Sequence, residues 1–214
     1  MQPEKVHCTM LKVALTGNVA SGKSAVARIW ADSGVPVVRA DDVARDVVAP
    51  GTVGLKAVVR EFGPAVLRAD GSMDREKLRG LVFNDPEARR RLEGILHPLI
   101  AARRDQWMKT QEDRKTHLAV AEIPLLFEAK LQDDFDLVVL VVAPKKERLR
   151  RMVADRGIEE TEALRIMAAQ IPSREKTGKA DFVLENGDTL EDLQIRSLAL
   201  LDLLRARARK AGLR

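Results

Sequence analysis

The chain has 214 residues, of which 45% are apolar and 32% charged, so disorder is excluded and one or two globular domains are predicted. Its net charge of +5 would suit a nucleic-acid partner, but aromatic residues make up only 3% of the chain and tyrosine is absent, which disfavours a base-stacking platform. We therefore expect no nucleic acid among the partners and attribute the charge to phosphate handling and to the basic residues 205–214.

The first nine residues look like an extension of the folded chain. They lack the apolar centre of a signal peptide, and Met10 is a second candidate start. They contain the single cysteine, Cys8, which excludes an internal disulfide and a cysteine metal cluster. This cysteine usage favours a reducing, cytoplasmic location.

Residues 17–24 fit the pattern Gly-x-x-x-x-Gly-Lys-[Ser/Thr], which is typical of a phosphate-binding loop. A predicted strand at residues 12–16 precedes the motif and a predicted helix at residues 25–31 follows it, as the mechanism requires. Backbone N–H groups and the helix dipole would face the phosphates, Lys23 would reach the β- and γ-phosphates, and the Ser24 hydroxyl would bind Mg²⁺. A glycine-rich turn without a ligand is the alternative. The residues predicted to bind ATP are Gly17, Asn18, Val19, Ala20, Ser21, Gly22, Lys23, Ser24 and Ala25.

A second short strand is predicted at residues 35–38, followed by a helix that Asp41 and Asp42 open and that runs to Val48. Alternating strands and helices of this kind predict an α/β fold, with a parallel sheet flanked by helices. Asp41 would cap the helix, act as a catalytic base, or do both. Arg45 lies four residues after Asp41 and would either pair with it or bind substrate.

The alternation stops over residues 51–110, where a helical insertion is predicted. Helices are expected there at residues 53–62, 74–83 and about 85–109. The dipeptide His97-Pro98 is expected to interrupt the third, because proline lacks the amide donor that a helix interior needs. The insertion would bind substrate or be a helical decoration without a ligand, and His97 would serve the substrate or only mark the break.

The alternation resumes with a buried strand at residues 117–123, in which Glu122 could help to hold Mg²⁺ without binding it directly. The clearest strand is predicted at residues 137–142. The apolar run that contains it, residues 137–143, is far too short to span a bilayer, so we expect no membrane partner. The remaining predicted elements are a basic helix at residues 145–155, a helix within 158–180, a strand at 181–184 and a helix at 190–209.

The phosphate-binding loop by itself indicates only a nucleoside triphosphate. The motifs Asp-x-x-Gly and [Asn/Thr]-Lys-x-Asp, which GTPases usually carry, are absent from the sequence, and a motor ATPase would need a longer chain. The residues favour a small-molecule kinase whose insertion holds the acceptor. A regulatory or nucleic-acid-binding protein with the same loop stays open as the alternative.

Beyond the loop, stretches between about residue 11 and about residue 190 resemble dephospho-coenzyme A kinases. These stretches are residues 14–17, 39–45, 50–51, 62–63, 70–75, 96–100, 124–128, 168–172 and 180–183. His97-Pro98 and the Pro-Leu-Leu-Phe-Glu stretch at residues 124–128 are far more specific than the loop. The resemblance implies that ATP, with Mg²⁺, phosphorylates the ribose 3′-hydroxyl of dephospho-coenzyme A, the final step of coenzyme A synthesis. It predicts no particular oligomeric state, and another nucleoside or metabolite kinase is the alternative.

The resemblance also implies a division of roles. The residues expected to be catalytic are Lys23, Asp41 as the base, and Arg151, which would close over the phosphates from a lid at about residues 148–175. The residues expected to bind the acceptor are Thr16, Asp41, Arg45, His97 and Leu125. The nucleotide-binding core would comprise residues 10–50 and 111–214, and the substrate-binding insertion residues 51–110.

The chain departs from the family's pattern at two places. Arg39 stands where an aspartate is usual, so the local charge is altered while the carboxylate of Asp41 is kept. Residues 155–157 read Asp-Arg-Gly where the family usually reads Arg-Asp-Gly, which leaves the role of Arg156 open.

Overall fold

The computed structural model describes residues 10–83 and 85–211. Cys8, the candidate extension at residues 1–9 and the last basic residue, Arg214, lie outside the described residues. None of the described helices is both long and apolar enough to cross a membrane.

A five-stranded sheet runs in the order β2-β3-β1-β4-β5. Its strands are β1 (Leu11–Gly17), β2 (Val37–Arg39), β3 (Leu118–Glu122), β4 (Leu137–Val142) and β5 (Phe182–Glu185). The pairs β1–β3, β1–β4 and β4–β5 are parallel, and Leu15 in β1 lies opposite both Glu122 and Val139. β4 is an unbroken apolar run because a central parallel strand is covered on both faces. The prediction of a parallel α/β sheet is therefore confirmed.

The described residues also form helices. Their bounds are α1 (Lys23–Asp32), α2 (Ala40–Asp46), α3 (Val53–Phe62), α4 (Arg75–Phe83), α5 (Pro86–Asp113), α6 (Lys145–Arg150), α7 (Glu160–Ala168), α8 (Ser173–Thr177) and α9 (Leu190–Ala211). A π-helical turn, Arg151–Asp155, continues α6, and Gly157 in a left-handed conformation follows it. Short 3₁₀ turns lie at Pro64–Val66 and Gln132–Asp134.

The described residues divide into two compact units, which we call the sheet unit (residues 10–38 and 108–211) and the helical unit (residues 39–83 and 85–107). In the sheet unit, α1 and α9 pack on the strands. Trp30 of α1 is fully buried there, and its indole N–H donates to the Ser197 carbonyl at 2.9 Å. The helical unit has its own apolar core. The buried members of that core are Val48, Leu55, Val58, Val66, Met73 and Leu78.

The expected interruption of the third insertion helix at His97-Pro98 is wrong, because α5 continues through Pro98. Proline removes one amide donor, and here it does so at an exposed position of the helix. Leu92, Ile95 and Leu96 pack against the core of the helical unit immediately before that point. Packing of this apolar face stabilises the helix more than one lost hydrogen bond destabilises it.

Candidate active site

The phosphate-binding loop joins the carboxyl end of β1 to the start of α1. Gly17 closes β1, and Gly22 is the N-cap of α1 with φ of 96°. A Cβ atom at Gly22 would lie 2.0 Å from Asn186 Nδ2, and one at Gly17 would lie 2.5 Å from both Ser21 Oγ and the Val141 carbonyl oxygen. Both positions therefore require glycine because the chain folds back on itself too closely for a side chain.

Helix α1 directs its amino end at the loop. Lys23 is its first residue, and its first turn contains no acidic side chain. The partial positive charge of the helix end is therefore not offset by a carboxylate within that turn, which suits an anion such as a phosphate.

Arg151 lies directly against this loop. Its Nη1 donates to the Ala20 carbonyl oxygen at 3.2 Å, and its Nη2 lies 3.4 Å from the carbonyl and side-chain oxygens of Asn186. Asn186 in turn donates from Nδ2 to the Ser21 carbonyl at 2.8 Å. The structure thus brings the predicted lid arginine and the phosphate-binding loop together.

A second set of contacts holds the other side of the loop. The Val19 amide donates to Gln170 Oε1 at 2.8 Å, and Asn18 Nδ2 donates to the Ile171 carbonyl at 3.0 Å. These residues follow α7, within the segment predicted to be a lid. The loop is therefore held by a side chain and a backbone carbonyl that lie more than a hundred positions away in the sequence.

Glu122 ends β3 beside the start of α1. Its side chain belongs to a residue that is only 3% exposed, and its Oε1 accepts the Ser24 hydroxyl at 2.7 Å. Carboxylate and hydroxyl oxygens are ligands that Mg²⁺ prefers. Among the described residues there is no cluster of three or more histidine, cysteine or acidic side chains that would hold a metal. A kinase Mg²⁺ site needs only one or two protein oxygens, since phosphate oxygens and water complete it, so Ser24 with Glu122 fits the ion.

Two residues assigned to the acceptor lie in the sheet unit. Thr16 is buried at the end of β1, with its hydroxyl 3.5 Å from the Pro124 carbonyl oxygen. Leu125 follows β3 and is 44% exposed, which is unusual for a leucine next to a buried strand and leaves it accessible to a ligand.

Asp41, Arg45 and His97 belong to the helical unit. The expectation that Asp41 caps its helix is wrong, because α2 begins one residue earlier and its N-cap is Arg39, which has an extended backbone. Asp41 is the second residue of the helix and is exposed. His97 is exposed on α5.

Of the two alternatives for Arg45, an ion pair with Asp41 is contradicted by the structure. Arg45 Nη1 lies 3.3 Å from Asp42 Oδ1, and Arg39 Nη1 lies 3.8 Å from Asp42 Oδ2. Asp42 is placed three residues from each arginine, so it lies within reach of both on one helix face. Within the described residues, Asp41 has no ion-pair partner.

A family model described as dephospho-CoA kinase matches residues 11–192. The chain belongs to the dephospho-coenzyme A kinase family. A protein of Frankia casuarinae named dephospho-CoA kinase is 45% identical over 203 residues, covering 94% of this chain and 87% of that protein.

Solved structures agree with this family assignment. The crystal structure of TT1252 from Thermus thermophilus matches with a TM-score of 0.75 at 36% identity, over 91% of this chain and 98% of that one. A dephospho-CoA kinase from Campylobacter jejuni matches with a TM-score of 0.70 at 26% identity, over 90% and 96% of the two chains. The prediction of an ATP-dependent kinase with a phosphate-binding loop is confirmed at the level of family and fold.

The two departures from the family pattern have definite places in the structure. Arg39 is the N-cap residue of α2 and lies near Asp42. Asp155 ends the π-helical turn, where Arg150 lies 4.0 Å away and adds an exposed ion pair. Such an exposed pair contributes about 0–1 kcal/mol, so the changed order at residues 155–157 has little consequence through this contact.

Two residues that contact the loop backbone are not predicted as site residues from the sequence. Gln170 lies in a stretch that resembles the family, and Asn186 lies in none of those stretches. Asn186 follows β5 directly, and the carboxyl ends of parallel strands are where open α/β sheets bind ligands. The position of Asn186 directly after a strand could therefore have predicted it as a site residue, whereas no such feature of the sequence marks Gln170.

Proposed function

We propose that this enzyme transfers the γ-phosphoryl group of ATP to the 3′-hydroxyl of the ribose of dephospho-coenzyme A, giving coenzyme A and ADP. The observation that carries the proposal is the phosphate-binding loop, with Lys23 at the start of α1 and the Arg151 guanidinium at its backbone, in a chain of this family. ATP would bind through residues 17–25. A cytoplasmic location without a nucleic-acid partner is part of the proposal.

The test is an assay of ADP formation with dephospho-coenzyme A as acceptor. Adenosine and nucleoside monophosphates serve as alternative acceptors, and duplex DNA as a possible effector. We expect ADP to form with dephospho-coenzyme A alone and the acceptor's mass to rise by one phosphoryl group. ADP formation with a nucleoside in its place, or only with DNA, would overturn the assignment.

Phosphoryl transfer asks the protein mainly for positioning and charge neutralisation. The loop amides and the amino end of α1 would hold the phosphates, and Lys23 and Arg151 would supply positive charge beside the group in transfer. Mg²⁺ would be held by Ser24, with Glu122 accepting that residue's hydroxyl hydrogen bond or turning to the ion. When bound, the ion neutralises phosphate charge.

Asp41 would take the proton of the ribose hydroxyl. The pairing in α2 favours it over its neighbour, because Asp42 already lies between Arg39 and Arg45. Asp41 is exposed and has no ion-pair partner among the described residues, so its carboxylate oxygens are available to a ligand.

The acceptor would be bound by Thr16, Arg45, His97 and Leu125, with the insertion at residues 51–110 as its main site. Replacing His97 with alanine should raise the KM for dephospho-coenzyme A about tenfold, the cost of one lost hydrogen bond to a charged group, and leave the KM for ATP unchanged. Steady-state kinetics with each substrate varied in turn measures both constants. Gln106→Ala, another exposed residue of α5, is the matched control. An equal effect on both substrates, or none, would reduce His97 to a structural residue.

The lid proposed at residues 148–175 should be mobile without nucleotide and should close when ATP binds. Arg151 would then exchange its contacts with the Ala20 and Asn186 carbonyls for a phosphate, which is a stronger acceptor because it is charged. Hydrogen exchange with and without a non-hydrolysable ATP analogue should show increased protection across this segment. β4, buried in the sheet, is the internal control and should not change. Unchanged protection of residues 148–175 would count against a closing lid.

A further inference from the structure

A part-buried ion pair lies against the segment that contacts the phosphate-binding loop, with the Glu128 side chain 20% exposed. Lys176 in α8 is 0% exposed, and its Nζ donates to Glu128 Oε1 at 2.7 Å. Glu128 belongs to the turn after β3, 48 positions away in the sequence. A fully buried lysine is rare and requires a partner, so this contact needs a reason.

The stability of the fold does not by itself explain this ion pair. Removing two charges from water costs about as much as their attraction returns, and a well-packed apolar pair often stabilises a core equally well. Buried polar pairs are best known for selecting one arrangement of neighbouring segments. We therefore examine which neighbouring segments Glu128 and Lys176 hold in place.

The second hydrogen bond of the Glu128 carboxylate is with the segment that precedes α8. Glu128 Oε1 also accepts the Ile171 amide at 3.2 Å. The other oxygen, Oε2, is buried without a hydrogen-bond partner among the described residues. The hydrogen bonds of this carboxylate therefore go to residues 171 and 176, on either side of the start of α8.

Ile171 is joined on its other side to the phosphate-binding loop. Its carbonyl accepts Asn18 Nδ2 at 3.0 Å, and the preceding residue, Gln170, accepts the Val19 amide at 2.8 Å. Hydrogen bonds thus connect Lys176 through Glu128 to Ile171, and Ile171 and the adjoining Gln170 contact the Asn18 side chain and the Val19 amide of the loop. Each link is short enough to count as a hydrogen bond rather than a mere proximity.

We propose that Glu128 is a positioning residue for ATP, with Lys176 supplying the counter-charge of its carboxylate. The hydrogen bond from the Ile171 amide to Glu128 holds residues 170 and 171 at the place from which Gln170 and the Ile171 carbonyl keep the phosphate-binding loop in its binding shape. The inference rests on the proposed function, since it assigns these contacts to the ATP phosphate site. Glu128 lies in the same Pro-Leu-Leu-Phe-Glu stretch as Leu125, a residue assigned to the acceptor, and yet it contacts the segment that shapes the ATP site.

Two double variants separate positioning from plain stability. Glu128→Gln with Lys176→Met removes both charges but keeps an oxygen for the Ile171 amide. Glu128→Leu with Lys176→Met removes the charges and the oxygen together. Neither leaves an unpaired buried charge, so both are expected to fold. Calorimetry should give near-normal affinity for a non-hydrolysable ATP analogue in the first, and about tenfold weaker affinity in the second.

Trp30→Phe is the matched control for lost stability. It removes a buried hydrogen bond in the same unit, at the end of α1 away from the loop. It should lower the Tm and leave the affinity for the ATP analogue unchanged. If it weakens that affinity as much as the Glu128→Leu double variant does, the effect is one of general stability and the proposal is overturned.

Gln170→Met tests the contact between Gln170 and the Val19 amide by itself, and it tests the proposal even if a double variant does not fold. It keeps the size of the side chain but removes the acceptor of the Val19 amide, so the KM for ATP should rise while the KM for dephospho-coenzyme A stays constant. Normal ATP affinity in Gln170→Met, or equal affinity in the two double variants, would overturn the proposal. Failure of the proposed function would look different, because the unaltered enzyme would then bind the ATP analogue and not phosphorylate dephospho-coenzyme A.

Discussion

Replacing Lys23 with alanine is expected to lower kcat by about 10³-fold or more while the fold stays intact. Lys23 is the first residue of α1, at the loop that would hold the phosphates, and its ammonium would neutralise charge on the group in transfer. Alanine is the best helix former, so the start of α1 should persist. Initial rates of ADP formation at saturating substrates measure the loss, and circular dichroism and the Tm check the fold.

Lys12→Ala is the matched control for this experiment. Lys12 is a partly exposed lysine of the same unit, whose ammonium pairs with Glu112 at 2.7 Å. Losing such a surface pair costs about 0–1 kcal/mol of stability and should leave kcat unchanged. If Lys23→Ala keeps a rate close to that of Lys12→Ala, residues 17–24 are not the phosphate-binding loop of this enzyme.

Replacing Asp41 with asparagine is expected to lower kcat by about 10²–10⁴-fold, the usual range for losing a general base. Asparagine keeps the shape of the side chain but cannot take a proton from the ribose hydroxyl. Because Arg39 rather than Asp41 is the N-cap of α2, the fold should lose only the favourable interaction of one carboxylate with the helix dipole, about 0.3–1 kcal/mol. The KM values for both substrates should change much less than kcat.

Asp42→Asn is the control, because it removes the neighbouring carboxylate and its contacts with Arg39 and Arg45. We expect its kcat to stay within a few-fold of normal, since exposed pairs of this kind contribute little. The opposite result, with Asp42→Asn inactive and Asp41→Asn active, would move the role of base to Asp42. Retained activity in both variants would show that the general base does not come from α2.

Local patterns were sufficient for much of the fold. The predicted bounds of α3 and β4 coincide with the observed ones, because one is an amphipathic helix and the other an unbroken apolar run rich in β-branched valine. The loop between β1 and α1 is predicted for the same reason, since its glycines and its lysine lie within one short stretch of the chain. The helix break predicted at Pro98 is wrong, because the contacts that stabilise α5 arise only when it packs on the core of the helical unit.

The sequence by itself therefore determined the sheet strands, the phosphate-binding loop and the kinase family, since each is recorded in short local patterns of residues. Only the tertiary structure decided what surrounds the loop. Ser24 meets Glu122 across 98 positions, Asn186 meets Ser21 across 165, and Lys176 meets Glu128 across 48. No spacing rule predicts such pairs, because they exist only once parallel strands bring their carboxyl ends to one edge of the sheet.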